Sequence, residues 1–168
     1  LHQEFEALGI DFDSRGPKTD EAIDAMRALW GEEHPTYAGK HVEFRGVNAF
    51  PRPLSPTGPD IVVGGTSQAA LRRTVTKGQG WYGFALDVAQ TKAVLERLTE
   101  AKNRFDRPAW LGEEIEISIT PPKPLTKTMM EDYAALGVHR LIPMLGFYPQ
   151  ETVLEDIEAL ATSLDITD

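Results

Sequence analysis

Apolar positions fall into two regimes along this chain. From residue 61 onward, short apolar runs alternate with stretches of helical period; before it, turns and prolines break the pattern. Ile61-Val62-Val63 reads as a short buried strand, ended by Gly64-Gly65. Ser67 is placed to cap a helix that starts near Gln68, runs through Ala69, Ala70, Leu71, Arg72 and Arg73, and ends near Gly78. Residues 80–85 predict an aromatic, glycine-punctuated strand. Asp87 then caps a long helix to about Phe105, with Val94, Leu98, Ala101 and Phe105 on its inner side and Arg107-Pro108 closing it. Residues 114–119 alternate with period two and predict a third strand. After a loop with Pro121, Pro122 and Pro124, Thr126 or Thr128 caps a helix through Met130, Tyr133 and Leu136, ended by Gly137. Residues 140–145 predict a last strand, and a helix from about Gln150 to Leu164 carries Val153, Ile157, Leu160 and Leu164 at helical spacing.

The first 60 residues read differently. Residues 1–18 predict a loop or short helix ending in the turn signal Ser14-Arg15-Gly16-Pro17. A helix starts at Thr19-Asp20-Glu21, sets Ile23, Met26, Leu29 and Trp30 on one side, and reaches a C-cap at Gly31. Residues 37–44 predict a small hairpin. Four prolines in the nine residues 51–59 exclude both helix and central strand, leaving a long stiff loop of the kind that often carries function.

Strands alternating with helices predict an α/β fold with a parallel sheet, whose ligands gather at the carboxyl ends of the strands. Gly64-Gly65, residues 81–84, the 120–125 loop and Gly146-Phe147-Tyr148 would share that edge. The first of these has the parts of an anion cradle. Gly64 and Gly65 let a ligand approach the backbone, the first amides of the following helix point outward with the positive end of its dipole, and Thr66 and Ser67 add hydroxyls. The same residues also describe a plain capped turn, and local sequence does not separate the two.

Composition narrows the classes of partner. The 168 residues suit one domain able to bury about 70% of its unfolded surface. A net charge of -9 and a pI of about 4.9 argue against nucleic acid and anionic membrane. The chain has no cysteine, which excludes disulfides and thiolate metal sites and fits a cytoplasmic location. No apolar run nears the ~20 residues of a membrane span. The chain opens Leu1-His2-Gln3-Glu4 without Met or a signal-peptide pattern, as a piece of a longer product would.

Other chemistry-bearing residues carry less. His2, His34, His41 and His139 lack metal-ligand spacing, so no metal site is expected. Trp81 is a candidate to line a cofactor pocket or to fill the core. Arg52, on the proline loop, is a candidate for an acidic substrate or a solvated charge. Glu113, Glu114 and Glu116 suggest paired carboxylates but read better as a solvent-facing strand end, and Met129-Met130 as core. No Ser/His/Asp arrangement or Walker-type loop occurs.

An ordered set of short motifs carries a resemblance. Arg15-Gly16, Asp20-Glu21-Ala22-Ile23, Met26-Arg27-Ala28-Leu29-Trp30, Tyr37-Ala38-Gly39, Pro51-Arg52-Pro53, Val63-Gly64-Gly65-Thr66-Ser67, Ala70-Leu71-Arg72-Arg73 and Gly80-Trp81 resemble the bacterial luciferase-like monooxygenase family. The likeness runs on to Val138-His139-Arg140-Leu141 and is strongest to the branch that uses the deazaflavin coenzyme F-420. One departure is Gln79, where the family usually has Asp. The ion pair that Asp would make with Arg72 or Arg73 is then missing, with an effect expected on packing rather than chemistry.

The resemblance implies the C-terminal half of a (β/α)8 TIM barrel: strands five to eight, an N-terminal helix and a hairpin, as a single partial domain over 1–168. It implies an oxidoreductase exchanging a hydride between F-420 and an organic substrate, with a reduced-FMN monooxygenase as the alternative. Gly64, Gly65, Thr66 and Ser67 would hold the cofactor phosphate, with Trp81 beside it and Arg52 toward the substrate. A complete barrel has eight strands and ~250 residues. The family's ring-stacking and catalytic residues lie in the first half, so none is assigned here. The 168 residues alone are expected to be incompetent, the other half being lost, on another chain, or replaced by a second copy. The remaining alternative is a non-catalytic half-barrel that binds a phosphate ligand and needs a partner.

Overall fold

The computed structural model describes residues 1–55, 57–144 and 152–166. Internal contacts gather into two compact units, Leu1–Asp60 and Ile61–Asp168. The boundary falls at the end of the proline loop.

The first unit holds α1 (His2–Ala7), α2 (Arg15–Gly31) and an antiparallel pair, β1 (Thr36–Ala38) with β2 (Glu43–Arg45), the predicted hairpin. The second helix starts four residues before Thr19. Pro17 lies in its first turn, where a missing N–H breaks no helical bond, so the turn signal is absorbed into the helix. Ile23 is buried as predicted, but Met26 is exposed. Glu21 joins helix to hairpin, its carboxylate accepting the backbone N–H groups of Lys40 and His41. A Cβ on Gly58 would collide with the Trp30 ring, so the proline loop closes on α2 only through a glycine there.

The second unit is β3 (Val62–Gly64), α3 (Gln68–Lys77), β4 (Gly80–Phe84), α4 (Val88–Arg104), β5 (Glu116–Thr120), α5 (Lys127–Ala135), β6 (Arg140–Leu141) and α6 (Val153–Ser163). The four strands are parallel in the order β3-β4-β5-β6, the four predicted strand-helix units. Ser67, Asp87 and Thr126 cap their helices, accepting from the amides of Ala70, Gln90 and Met129. The cap of α5 is therefore Thr126 and not Thr128. The last strand is shorter than predicted, and the predicted loop 146–148 and helix start at Gln150 lie outside the described residues.

Register separates the two faces of this sheet, because successive side chains alternate. Val63 pairs with Trp81, Trp81 with Ile117, and Ile119 with Leu141. Trp81, Ile117 and Ile119 meet Leu71 and Val75 of α3, Val94 and Leu98 of α4 and Tyr133 of α5 in the dry core. Gly83 shares that face because a Cβ there would lie 2.8 Å from Ile119, Leu86 and Trp81. The other face carries Val62, Gly64, Tyr82, Phe84, Glu116, Ser118, Thr120 and Arg140. Val62, read from sequence as buried, is 48% exposed because β3 is an edge strand with a neighbour on one side only among the described residues. Glu116, read as a solvent-facing strand end, keeps 42% of its side-chain surface exposed and is joined there by Arg140 at 3.1 Å and by the Ser118 hydroxyl, which donates to it at 3.2 Å.

At the far end of α3 the chain closes on itself. Arg107 follows α4 and directs its guanidinium to the carbonyls of Thr74, Val75 and Gly78, which end α3, and to those of Leu111, Gly112 and Glu114. Burial pulls its pKa below the usual arginine value.

Candidate functional site

The strand–turn–helix from Val62 to Lys77 builds the site. β3 ends at Gly64; Gly65 turns the chain with φ +97°, a region open to glycine at little cost. Extended backbone at Ser67 then places its hydroxyl to accept the Ala70 amide at 3.2 Å, and α3 begins. That bond satisfies one of the helix's orphan donors. The amides of Gln68 and Ala69 have no carbonyl four residues back to accept them within the helix. Residues 64–69 are all exposed. A Cβ on Gly64 would find only the Tyr82 carbonyl oxygen, at 4.0 Å, so there is room above the strand end for a group to approach the backbone. These features fit a phosphate ester: outward amides, hydroxyls, the positive end of a helix dipole and no side chain in the way.

Two side chains hold the turn. The indole N–H of Trp81 donates to the Gly65 carbonyl at 2.9 Å, and Arg97 Nη2 donates to the Thr66 carbonyl at 2.7 Å. Trp81 is fully buried, so it supports the turn from the core instead of lining a pocket. Gly64, Gly65, Thr66, Ser67 and Trp81 are thus brought together. Arg52 belongs to the first unit, where its guanidinium donates to the carbonyls of Glu32 and Glu33 and to Asn48 Oδ1. Gln79 has a strand-pairing role: its side-chain oxygen accepts the Ile61 amide at 2.9 Å, stitching the start of β3 to β4.

Three neighbours are not singled out by the sequence, although Tyr82 and Thr120 fall in segments it places on this edge. Gly64 pairs in register with Tyr82, whose hydroxyl lies 2.7 Å from the Thr120 hydroxyl across β4 and β5. This pair puts two polar groups beside the cradle on the face away from the helices. Alternation could have found it: with Trp81 in the core, Tyr82 must face the other way. Arg97, the third, gave no local signal, since its partner lies 31 residues earlier. On the same edge Ala85, read as the end of a strand, takes φ +53° and turns the chain out of β4.

Among the described residues no group of His, Asp or Glu is arranged to hold a metal, and no described helix is long and apolar enough to cross a membrane.

Comparison with known proteins places this geometry in a family. The uncharacterised protein Rv0940c of Mycobacterium tuberculosis is 27% identical over 162 residues, 96% of this chain and 53% of its own length. The FMNH(2)-dependent dimethylsulfone monooxygenase of Pseudomonas putida is 30% identical over 82 residues, 47% of this chain and 22% of that enzyme. The structure of an F-420-dependent secondary alcohol dehydrogenase in complex with an F-420–acetone adduct superposes with a TM-score of 0.68 at 10% identity, over 91% of this chain and 63% of that one. The chain spans about half the length of the curated relatives it matches along most of its residues. Its parallel strand-helix units are part of the TIM-barrel fold of these enzymes. The profile of the luciferase-like monooxygenase family matches residues 2–163, and this chain belongs to that family.

Proposed function

We propose that this chain is the phosphate-holding part of a luciferase-like oxidoreductase that uses coenzyme F-420, with Gly64, Gly65, Thr66 and Ser67 receiving the cofactor phosphate. One observation carries the reading. The turn is exposed, and Trp81 and Arg97 each donate to one of its carbonyls, so its backbone is fixed before any ligand arrives, a preorganisation that strengthens binding. Trp81 acts as a positioning residue beneath it. The bound deazaflavin would supply hydride chemistry, while this chain supplies position and charge. Tyr82 and Thr120 are set to meet the polar linker next to the phosphate, since Tyr82 adjoins Gly64.

Reduced FMN is the alternative cofactor. Relatives and structural neighbours support both, through the dimethylsulfone monooxygenase and the alcohol dehydrogenase. Titrating the chain with F-420 and with FMN, followed by fluorescence and thermal shift, tests the reading. Binding of either that is lost in Gly64→Val, with the fold intact by circular dichroism, supports the cradle. Failure of both ligands to bind the native chain, or undiminished binding by Gly64→Val, removes it.

A second reading concerns completeness. Val62 and Phe84 are 48% and 62% exposed on the sheet face opposite the helices. Apolar surface of that kind beside an unpaired strand edge favours association. The ring-bearing part of the site is then completed by further strands, from a second copy or from the remainder of a barrel. Turnover by the monomeric 168-residue chain with added cofactor would overturn this.

A further inference from the structure

The strand β6 is two residues long and has one neighbour, β5, among the described residues, so each bond between them carries much of its attachment. The His139 amide donates to the Ile117 carbonyl at 2.9 Å, and the Ile142 amide to the Ile119 carbonyl at 2.8 Å. Another bond runs the opposite way and is of a different kind: the Ile117 amide donates to Nδ1 of the His139 ring at 3.0 Å. An imidazole nitrogen stands where a parallel ladder ordinarily offers a backbone carbonyl. A backbone N–H can only donate, so this nitrogen carries a lone pair and the ring proton sits on Nε2. At the start of β3 the corresponding task falls to Gln79, whose side-chain oxygen accepts the Ile61 amide at 2.9 Å. The two stitches differ in one respect. An amide oxygen accepts across the whole physiological pH range, whereas an imidazole nitrogen accepts only until it takes up a proton.

We propose that His139 is an acid-sensitive clasp on the last strand. Neutral, its ring fastens the amino end of β6 to β5. Protonated, Nδ1 becomes a donor facing the Ile117 donor, the bond is lost and β6 loosens. The charges around the ring are few. Glu116 on β5 and Arg140 on β6 adjoin it in the chain and pair with each other at 3.1 Å. From α5 come Met130 and Ala134, and from α6 Ile157 and Leu160, which line one apolar groove with His139. Among the described residues, Arg140 is the one other titratable side chain of that groove. Through the groove, loosening of β6 reaches α6. The strand lies at the opposite edge of the sheet from β3, so the clasp stands apart from the cradle and does not rest on it.

Hydrogen exchange of the full chain tests this, followed amide by amide by NMR and corrected for intrinsic exchange. It is compared at about pH 7.5 and about pH 5.0, across the range in which imidazoles take up a proton. Protection of the Ile117 amide is expected to fall about tenfold from the higher pH to the lower, the scale of one hydrogen bond, while the Ile61 amide keeps its own. His139→Asn sets an amide oxygen in the place of Nδ1 and should hold the Ile117 amide at both pH values. His139→Phe should bring protection at the higher pH down to the acid level of the native chain and remove the pH dependence. Nitrogen shifts of the native His139 ring at the higher pH should show the lone pair on Nδ1. Ile117 protection that does not change with pH, an equal acid loss in His139→Asn, an acid loss that Ile61 shares, or a ring proton on Nδ1 at the higher pH overturns the clasp. The ring and amide measurements on the native chain decide the matter if either variant fails to fold.

Discussion

The two ends of α3 are built on opposite principles. At its start, an exposed glycine turn leaves the first amides of the helix without helical acceptors, and the carbonyls of the turn are held by Trp81 and Arg97. At its finish, Arg107 collects the carbonyls of Thr74, Val75 and Gly78 and binds them to the loop at 111–114. Both ends of a helix leave polar groups without helical partners. Here the amides of Gln68 and Ala69 are left without helical acceptors at an exposed turn, while the carbonyls at the other end are consumed inside the fold. The helix can therefore offer its positive end to an anion because its negative end is already neutralised by a cation. Changes at the closed end should reach stability first, and changes at the open end binding first.

The largest effect is expected at the closed end. Arg107→Met leaves several part-buried carbonyls without donors and should lower unfolding free energy by roughly 2–4 kcal/mol. Urea denaturation measures it, and ligand affinity of the folded fraction should stay unchanged. A variant as stable as the native chain would break the contrast. Trp81→Phe comes next, because Trp81 links the core to the cradle. Loss of ring volume and of the bond to Gly65 should cost about 2 kcal/mol, and unlike Arg107→Met it should also weaken phosphate binding.

This contrast was only half legible in the sequence, for a reason of distance along the chain. Ser67, Asp87 and Thr126 could be read as caps because each acts on an amide three residues ahead. Arg107 could be read only as the end of a helix, since the α3 carbonyls it binds lie 29 to 33 residues earlier. Arg97 was invisible in the same way. Alternation in 114–119 predicts the strand but not the company of its polar residues: Arg140 joins the partly exposed Glu116 only when β6 pairs with β5. Val62 was read as buried because an apolar triplet does not say whether its strand is central or at an edge.

At the open end the expected effects on stability are smaller and those on binding larger. Gly65→Ala meets no clash, its nearest new neighbour being the Ala70 Cβ at 3.5 Å, but φ +97° strains any residue with a Cβ. The cost should be about 1–2 kcal/mol in thermal unfolding. Ser67→Ala removes the cap and should cost about 1 kcal/mol. Both should weaken F-420 or FMN by more than they weaken the fold. If binding instead tracks stability in the two variants, the open end has no separate role.

An effect at neutral pH no larger than that of Ser67→Ala is expected at Tyr133, which tests whether the open edge is open everywhere. Its hydroxyl, fully buried, donates to the Leu86 carbonyl at 2.7 Å, just past the carboxyl end of β4. Burial first, and Asp87 second, raise its pKa above the ordinary value of 10.0. The folded chain then keeps this proton at a pH where the unfolded chain has lost it. The raised group stabilises fully below the unfolded value and ceases to do so as pH climbs through the folded one. Stability should therefore fall as pH rises above about 10. Tyr133→Phe should lose about 1 kcal/mol at neutral pH, where the bond to Leu86 is missing, and should lose less than the native chain on going to higher pH. Denaturant midpoints at pH 8 and at successive steps above pH 10 separate the two contributions. Equal alkaline slopes in both proteins would mean that Leu86 is reached by water and that the edge beside the cradle is solvated throughout.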